Sequence, residues 1–172
     1  MFLHITHFDH IRYLILELSL GTVEDYCNGK YTAVMPLEPD ALYHMADGLS
    51  YIHSKNLVHR DVSTGNVLIA KNHEQVILLK FSDFGFCKPA TDTGSFSISE
   101  GSKGTRKFVA PEMLKLMDLK GEKPRGNASS DIFSLGCLFF TYLTKGLHPF
   151  SDGSVHRIPL NIIDNKQYLE SN

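Results

Sequence analysis

Apolar and polar positions along the chain repeat with two periods, and each period marks elements. Residues 2–8 and 11–18 are apolar and β-prone, which predicts two strands with Asp9 and His10 at the turn between them. The second run, Tyr13-Leu14-Ile15-Leu16-Glu17-Leu18, stops at Ser19-Leu20-Gly21. Residues 22–26 predict a short helix, with Thr22 as N-cap and Glu24 and Asp25 in the first turn, where acidic groups meet the helix dipole. Residues 28–39 carry turn formers and predict a loop. Leu42, Met45, Leu49 and Ile52 recur at three- and four-residue steps, so residues 40–54 predict a helix with that face in the core. Residues 67–69 and 76–81 predict a hairpin across Lys71-Asn72-His73-Glu74. Residues 91–103 are rich in Ser, Thr and Gly and short of apolar residues, which predicts mobility. Pro111 suits the first position of a helix. Residues 120–127, with Gly, Pro and charges, predict a surface loop. Ser129 or Ser130 then caps a helix whose residues 132–145 are apolar nearly all round and closed by Gly146, a pattern that predicts full burial. Residues 152–172 are weakly patterned, with a helix starting near Asn161. There is no internal repeat and no linker between two domains. The mixture of strands and helices points to an α+β fold.

Composition narrows the picture little. A chain of 172 residues can bury one real core. A net charge of −2 gives no reason to expect nucleic acid or an anionic membrane as partner. Cys27, Cys87 and Cys137 are odd in number, far apart and in no metal-binding spacing, which suggests a reducing compartment. Residues 1–20 lack the basic start and small-residue cleavage site of a signal peptide. The longest apolar run, 135–142, is broken by Gly136 and Thr141 and is too short to span a bilayer.

The candidate chemistry changes it decisively. Val58-His59-Arg60-Asp61-Val62-Ser63-Thr64-Gly65-Asn66 reads H-R-D-x-x-x-x-N, and Asp83-Phe84-Gly85 follows. Ala110-Pro111-Glu112 and Asp131 stand downstream in the order found in protein kinases. Phosphoryl transfer needs a carboxylate to orient the attacking hydroxyl, and oxygen ligands to hold Mg²⁺ against the phosphates of ATP. Asp61 suits the first role, and Asn66 and Asp83 the second. The kinase pattern implies a mainly helical C-lobe, residues 19–172, preceded by a remnant of the N-lobe, residues 1–18. The catalytic loop is then 58–66, the activation segment 83–112 and the central helix 130–145. Leu16 takes the gatekeeper place, the backbone of Glu17, Leu18 and Ser19 faces the adenine edge, and Leu68 lies beneath the ring. Read alone, residues 13–18 fit an ordinary buried strand equally well. His59 and Phe84 are expected to pack together as structural residues beside Arg60 and Gly85. Asp131 is expected to hold the backbone of the catalytic loop.

Finer motifs carry a narrower resemblance. They are Leu16-Glu17-Leu18 with Thr22 and Glu24-Asp25-Tyr26, Asp83-Phe84-Gly85-Phe86-Cys87-Lys88, Ser95-Phe96-Ser97 and Gly104-Thr105. Ala110-Pro111-Glu112-Met113-Leu114, Ser130-Asp131-Ile132-Phe133-Ser134-Leu135-Gly136-Cys137 and His148-Pro149-Phe150 complete them. Over residues 11–150 the chain resembles the inositol-requiring sensor of the unfolded-protein response, a transmembrane kinase/endoribonuclease of the endoplasmic reticulum. The kinase-like ribonuclease activated by 2-5A oligonucleotides is a weaker match. The resemblance implies a Ser/Thr kinase that uses ATP and Mg²⁺, phosphorylates itself and works as a homodimer. The Ser-rich segment itself offers Ser95, Ser97, Ser99 and Ser102 as candidate regulatory phosphorylation sites, with Arg60, Lys88, Lys103 or Arg106 as partners for the phosphate, and a merely solvated loop as the alternative. The resemblance places two phosphoserines at Ser95 and Ser97. It implies the cytosolic face of the endoplasmic reticulum membrane for a full sensor and the cytoplasm for this chain alone, with no nucleic acid bound by this segment.

The sequence also departs from the family. No G-x-G-x-x-G or V-A-I-K lysine precedes residue 16, the final C-lobe helices are incomplete, and the ribonuclease part is absent. Glu112 is therefore expected to be buried without its usual arginine, at a cost on the order of 3–5 kcal/mol. Ser63 stands where Ser/Thr kinases carry a lysine, although Thr105 of the same cluster is kept. Losing one such donor slows a transition state by about two to three decades. Glu100 occupies a third phosphoserine place, either as a fixed charge or as an ordinary exposed residue. Two other readings stay open: a catalytically weak pseudokinase or dimerisation module, and a truncated gene product. The chain alone is expected to be inactive.

Overall fold

A computed structural model describes residues 2–8, 11–91, 95–97, 106–117 and 125–169. The expected turn at Asp9 and His10, and the candidates Ser99, Glu100, Ser102 and Thr105, lie outside the described residues.

Strand β1 (Phe2–Phe8) pairs antiparallel with β2 (Ile11–Leu16). The second strand ends at Leu16, which pairs with Phe2, two residues earlier than its apolar run. After β3 (Gly21–Thr22) comes α1 (Val23–Cys27). Its cap is the expected one: the Thr22 hydroxyl accepts from the Asp25 amide at 3.0 Å, and the Asp25 carboxylate accepts from the Thr22 amide at 3.0 Å. Helix α2 (Glu38–Ser54) buries Ala41, Met45, Leu49 and Ile52 on one face. It starts two residues before the predicted 40, since Pro39 is tolerated in a first turn where amides have no helical partner.

Short β4 (Leu57–Val58) leads into the loop at 59–66. The expected hairpin follows as β5 (Val67–Lys71) and β6 (Ile77–Phe81), joined to β3 in a sheet of order β3-β5-β6. Strand β7 (Lys88–Pro89) pairs with β4. Strand β8 (Ser95–Ser97) pairs antiparallel with β9 (Arg125–Asn127). This corrects two expectations: part of the stretch predicted to be mobile and part of the predicted 120–127 loop are a ladder. Neither three-residue strand has a local signal of its own, because each is made by its partner.

Helix α3 (Pro111–Met117) opens on its proline, as expected. Helix α4 (Ser129–Leu143) starts differently from the prediction. Ala128 holds the cap place, the Asn127 side chain accepts from the Ser129 amide at 3.1 Å, and Ser130 Oγ donates to the Asn127 carbonyl at 2.7 Å. The capping oxygen is therefore an asparagine just upstream of the serines. Nor is α4 buried all round. It buries Ser130, Asp131, Ser134, Leu135, Cys137, Leu138, Thr141 and Tyr142, while Ile132, Gly136 and Leu143 are exposed. The apolar count missed this face because no polar residue marks it. The last helix, α5 (Ile158–Ile163), begins before Asn161.

The core joins α1, α2, β5, β6 and α4 through Val23, Met45, Leu49, Ile69, Leu79, Leu138 and Tyr142. Each fully buried Leu or Met contributes roughly 1.5–3 kcal/mol by leaving water. Buried polar groups on α4 are satisfied: Ser134 Oγ donates to the Phe108 carbonyl at 2.6 Å and Thr141 Oγ1 to the Cys137 carbonyl at 2.9 Å. Glu112 is exposed, not buried, so the expected penalty for an unpaired interior carboxylate does not arise.

Candidate active site

The site is built on the loop between β4 and β5, and one carboxylate fixes its shape. Asp131, in the first turn of α4, is 1% exposed. Its Oδ2 accepts from the His59 amide at 2.8 Å and its Oδ1 from the Arg60 amide at 2.9 Å. His53 Nε2, from the end of α2, lies 2.9 Å from the same Oδ2. Asp131 thus holds the backbone of the loop, as expected, and the contact with His53, which was not expected, brings the end of α2 to the same carboxylate. Arg60 needs this hold, because its φ of 70° is a left-handed conformation that costs a non-glycine residue on the order of 1–3 kcal/mol. Its Nη1 donates to the Phe86 carbonyl at 3.2 Å. Burial draws the Arg60 guanidinium below its ordinary pKa, and Asp131 opposes that shift.

His59 is a packed residue. It is fully buried, with ring centroids 5.5 Å from Phe81 and 5.4 Å from Phe84. Its Nε2 lies 3.0 Å from the Ser82 carbonyl, and its Nδ1 accepts from the Asp61 amide at 3.4 Å. That pairing assigns the hydrogen to Nε2.

Asp61 and Asn66 meet across the loop. Asn66 Nδ2 donates to Asp61 Oδ2 at 2.8 Å and to the Asp61 carbonyl at 2.9 Å. The amide nitrogen is thereby spent, which leaves Asn66 Oδ1 as the atom able to act as a ligand. Ser82 stitches the next segment alongside, its amide and hydroxyl both donating to the Asn66 carbonyl, at 2.9 and 3.1 Å. Asp83 follows at once, exposed and left-handed (φ 57°), with Oδ1 accepting from the Gly85 amide at 3.2 Å. A Cβ on Gly85 would sit 3.1 Å from that oxygen, so the glycine keeps room for the carboxylate. Ser63 is 3% exposed and turned inward at the start of the 64–66 turn.

Upstream, residues 17–20 leave β2, and the Leu20 amide donates to the Ile69 carbonyl at 2.7 Å. Leu16 and Leu18 are exposed, and Leu68 is half-buried. Sequence reading missed Lys80. It stands opposite Leu68 in the β5–β6 register, and its Nζ donates to both oxygens of Glu17 at 2.8 Å. That bond holds the Glu17 carboxyl below its usual pKa. The available signal was a lone lysine inside the apolar run Ile77-Leu78-Leu79-Lys80-Phe81. Ser95 is half-buried in β8, its amide donating to Thr91 Oγ1 at 3.2 Å. Ser97 lies in the same strand.

The structure thus brings Asp61, Asn66 and the Asp83 segment together, with Asp131 and His59 beneath them. Among the described residues, no three His, Cys, Asp or Glu side chains form a metal cluster.

Comparisons with known proteins show the family. The family described as "Protein kinase domain" matches residues 2–171. The human "Serine/threonine-protein kinase/endoribonuclease IRE2" is 39% identical over 144 residues, covering 81% of this chain and 15% of its own. The Caenorhabditis elegans "Serine/threonine-protein kinase/endoribonuclease ire-1" is 37% identical over 164 residues, covering 92% of this chain and 16% of its own. The Hypocrea jecorina "Serine/threonine-protein kinase/endoribonuclease IRE1" is 34% identical over 152 residues, with 72% and 12% covered. The chain therefore spans less than a fifth of the length of these relatives. Among solved structures, a chain of the yeast RNA Pol II CTD kinase CTDK-1 complex superposes with a TM-score of 0.69 at 21% identity. That match covers 95% of this chain and 48% of the other, and shows likeness of fold.

Proposed function

Because the chain belongs to the protein kinase family, we propose that it supplies the catalytic and activation segments of an ATP-dependent Ser/Thr kinase of the unfolded-protein-response sensor type. Residues 1–18 are the remnant of the N-lobe and 19–172 the C-lobe. The observation that carries this reading is the Asp61–Asn66 bond with the Asp83 segment stitched to Asn66. Asp61 accepts the hydrogen bond of the acceptor hydroxyl and aims its oxygen. Asn66 Oδ1 and the Asp83 carboxylate are hard oxygen donors that would hold Mg²⁺. When bound, Mg²⁺ and ATP supply the phosphoryl group and the cation that neutralises its charge. The backbone of residues 17–19 would hold the adenine edge and Leu68 would support the ring, while the Lys80–Glu17 bond ties the segment that follows β2 to β6. Self-phosphorylation within a homodimer on Ser95, Ser97, Ser99 or Ser102 completes the reading.

No helix among the described residues is long and apolar enough to cross a membrane. We place the segment on the cytosolic face of the endoplasmic reticulum in a full sensor, and in the cytoplasm as an isolated chain. Ser63 favours a second reading, a weak kinase that acts as a scaffold, because a buried serine contributes no charge to the transferred group.

The test is titration of a fluorescent ADP analogue onto the purified chain, with and without Mg²⁺. Binding is expected to need Mg²⁺ and to weaken by roughly tenfold or more in Asp83→Asn, since even outer partners of a metal site are worth that much. Equal binding by wild type and variant would overturn the metal assignment. With ATP, residues 1–172 alone are expected to show no turnover; turnover abolished by Asp61→Asn would instead establish the chain as an enzyme by itself.

A further inference from the structure

The start of α4 is fixed by a residue outside the helix. Ala128 occupies the cap place in a helical conformation, and its side chain makes no capping bond. Asn127, just before it, supplies two acceptors instead. Its Oδ1 accepts from the Ser129 amide at 3.1 Å, and its carbonyl accepts from Ser130 Oγ at 2.7 Å. Ser130 is 6% exposed, and its own carbonyl accepts from Ser134 Oγ at 3.0 Å. The Asp131 amide closes the turn on the Ala128 carbonyl at 3.0 Å. First-turn amides have no partner further back in the helix, so these bonds decide where Asp131 stands.

The tolerance at Asp131 is small. One carboxylate spans the His59 and Arg60 amides at 2.8 and 2.9 Å, and Arg60 is held at a φ of 70°. An N–H···O bond is weak beyond about 3.2 Å, so a shift of a few tenths of an ångström at the start of α4 loosens one bond or the other. Asp61 follows directly, its amide donating to His59 Nδ1 at 3.4 Å and its Oδ2 accepting from Asn66 Nδ2 at 2.8 Å. The backbone that presents Asp61 therefore hangs on the first turn of α4.

Asn127 is also held from the other side. It lies opposite Ser95 in the β8–β9 register. Ser95 turns its amide to Thr91 Oγ1, at 3.2 Å, and its carbonyl to the Thr91 amide, at 2.8 Å. In an antiparallel pair the residues that exchange ladder bonds alternate with those that do not, so the Phe96 backbone faces Gly126. A strand between Asp83 and Glu112 thus pairs with the residues that lead into the cap.

We propose that Asn127 is a positioning residue of the candidate active site. It carries the placement of β8, through the first turn of α4 and the Asp131 carboxylate, to the backbone of His59 and Arg60. The use of this link in phosphoryl transfer rests on the kinase reading above. The mechanical link does not.

The test is amide hydrogen exchange on the purified chain, with His59 and Arg60 read against Met45 and Leu49 in α2. Loss of a cap that only stabilises the fold speeds all four amides by one common factor. In Asn127→Ala, His59 and Arg60 are expected to exchange roughly 2- to 30-fold faster than that common factor, the range set by typical cap losses. Asn127→Asp keeps the acceptor and should restore both. Phe96→Pro removes a ladder donor and should speed the same two amides selectively. One factor for all four amides, no change at any, no recovery in Asn127→Asp, or a Phe96→Pro variant that leaves His59 and Arg60 untouched would overturn the proposal. Mg²⁺-dependent ADP binding, scored separately, reports on the kinase reading, so the two can fail independently.

Discussion

Removing the Asp131 carboxylate should unfasten the catalytic loop from the body of the protein. In Asp131→Ala, the His59 and Arg60 amides lose their acceptor at a buried position, and His53 Nε2 loses its contact. Each orphaned buried donor costs about 1–3 kcal/mol, and Arg60 no longer has support for its left-handed backbone. We expect a loss of about 3–5 kcal/mol, a large share of the 5–15 kcal/mol typical of a whole domain. Asp131→Asn keeps one oxygen but turns an NH₂ towards the other donor, so it should cost about 2–3 kcal/mol. With a urea dependence of about 2 kcal/mol per molar, the unfolding midpoint should fall by roughly 1.5–2.5 M in the alanine variant. Amide hydrogen exchange should show His59 and Arg60 losing protection first. A midpoint shift below about 0.5 M, with both amides still protected, would refute the reasoning, because the loop would then be held by something else.

Burial pushes the His148 pKa down to about 4 from an ordinary 6.5. The unfolded chain therefore binds more protons between those values, so stability is full above pH 6.5 and falls as pH drops towards 4, by about 3 kcal/mol in all. His148→Asn should flatten that part of a stability–pH curve, and an unchanged slope would reject the assignment. Lys80→Met breaks the bond to Glu17 and should weaken Mg²⁺-dependent ADP binding, while the exchanged pair Glu17→Lys with Lys80→Glu should recover part of it; no recovery would argue against the pair. The thiols of Cys27 and Cys87 are pushed up to about 11, and that of Cys137 to about 12, by burial. All three should react slowly with iodoacetamide at pH 7.5, and fast labelling of any in folded protein would contradict its placement. Ser63→Lys, tested in a full sensor protein, should raise autophosphorylation, with a stability cost of about 1–3 kcal/mol because the site is buried.

Elements with a strong local signal were legible in the sequence. The Thr22 cap, the Met45–Leu49–Ile52 face and the β5–β6 hairpin each depend on residues close in the chain, and each formed as expected. Asp131 and His59 were legible because a motif carries their long-range contact. What escaped were contacts between residues that no motif or period connects. Lys80 and Glu17 are 63 residues apart, and β8 and β9 exist only through each other. The exposed strip at Ile132, Gly136 and Leu143 escaped for the opposite reason: its residues look like core, and only the packing decides that nothing described covers them. Glu112 was placed inside by analogy, while its own surroundings leave it in water.

The β8–β9 ladder has a consequence for timing. If Ser95 and Ser97 are phosphorylated as proposed, the ladder competes with that reaction, because serines paired with Asn127 and Arg125 cannot at the same moment lie extended across another active site. The rate at which these hydroxyls can be modified is then the intrinsic rate multiplied by the fraction of time the strand has peeled away. If peeling costs about 1.4 kcal/mol, only roughly a tenth of the molecules are available at any instant. The short ladder would act as a delay line, and residues 125–127, the other half of the pairing, would set its length.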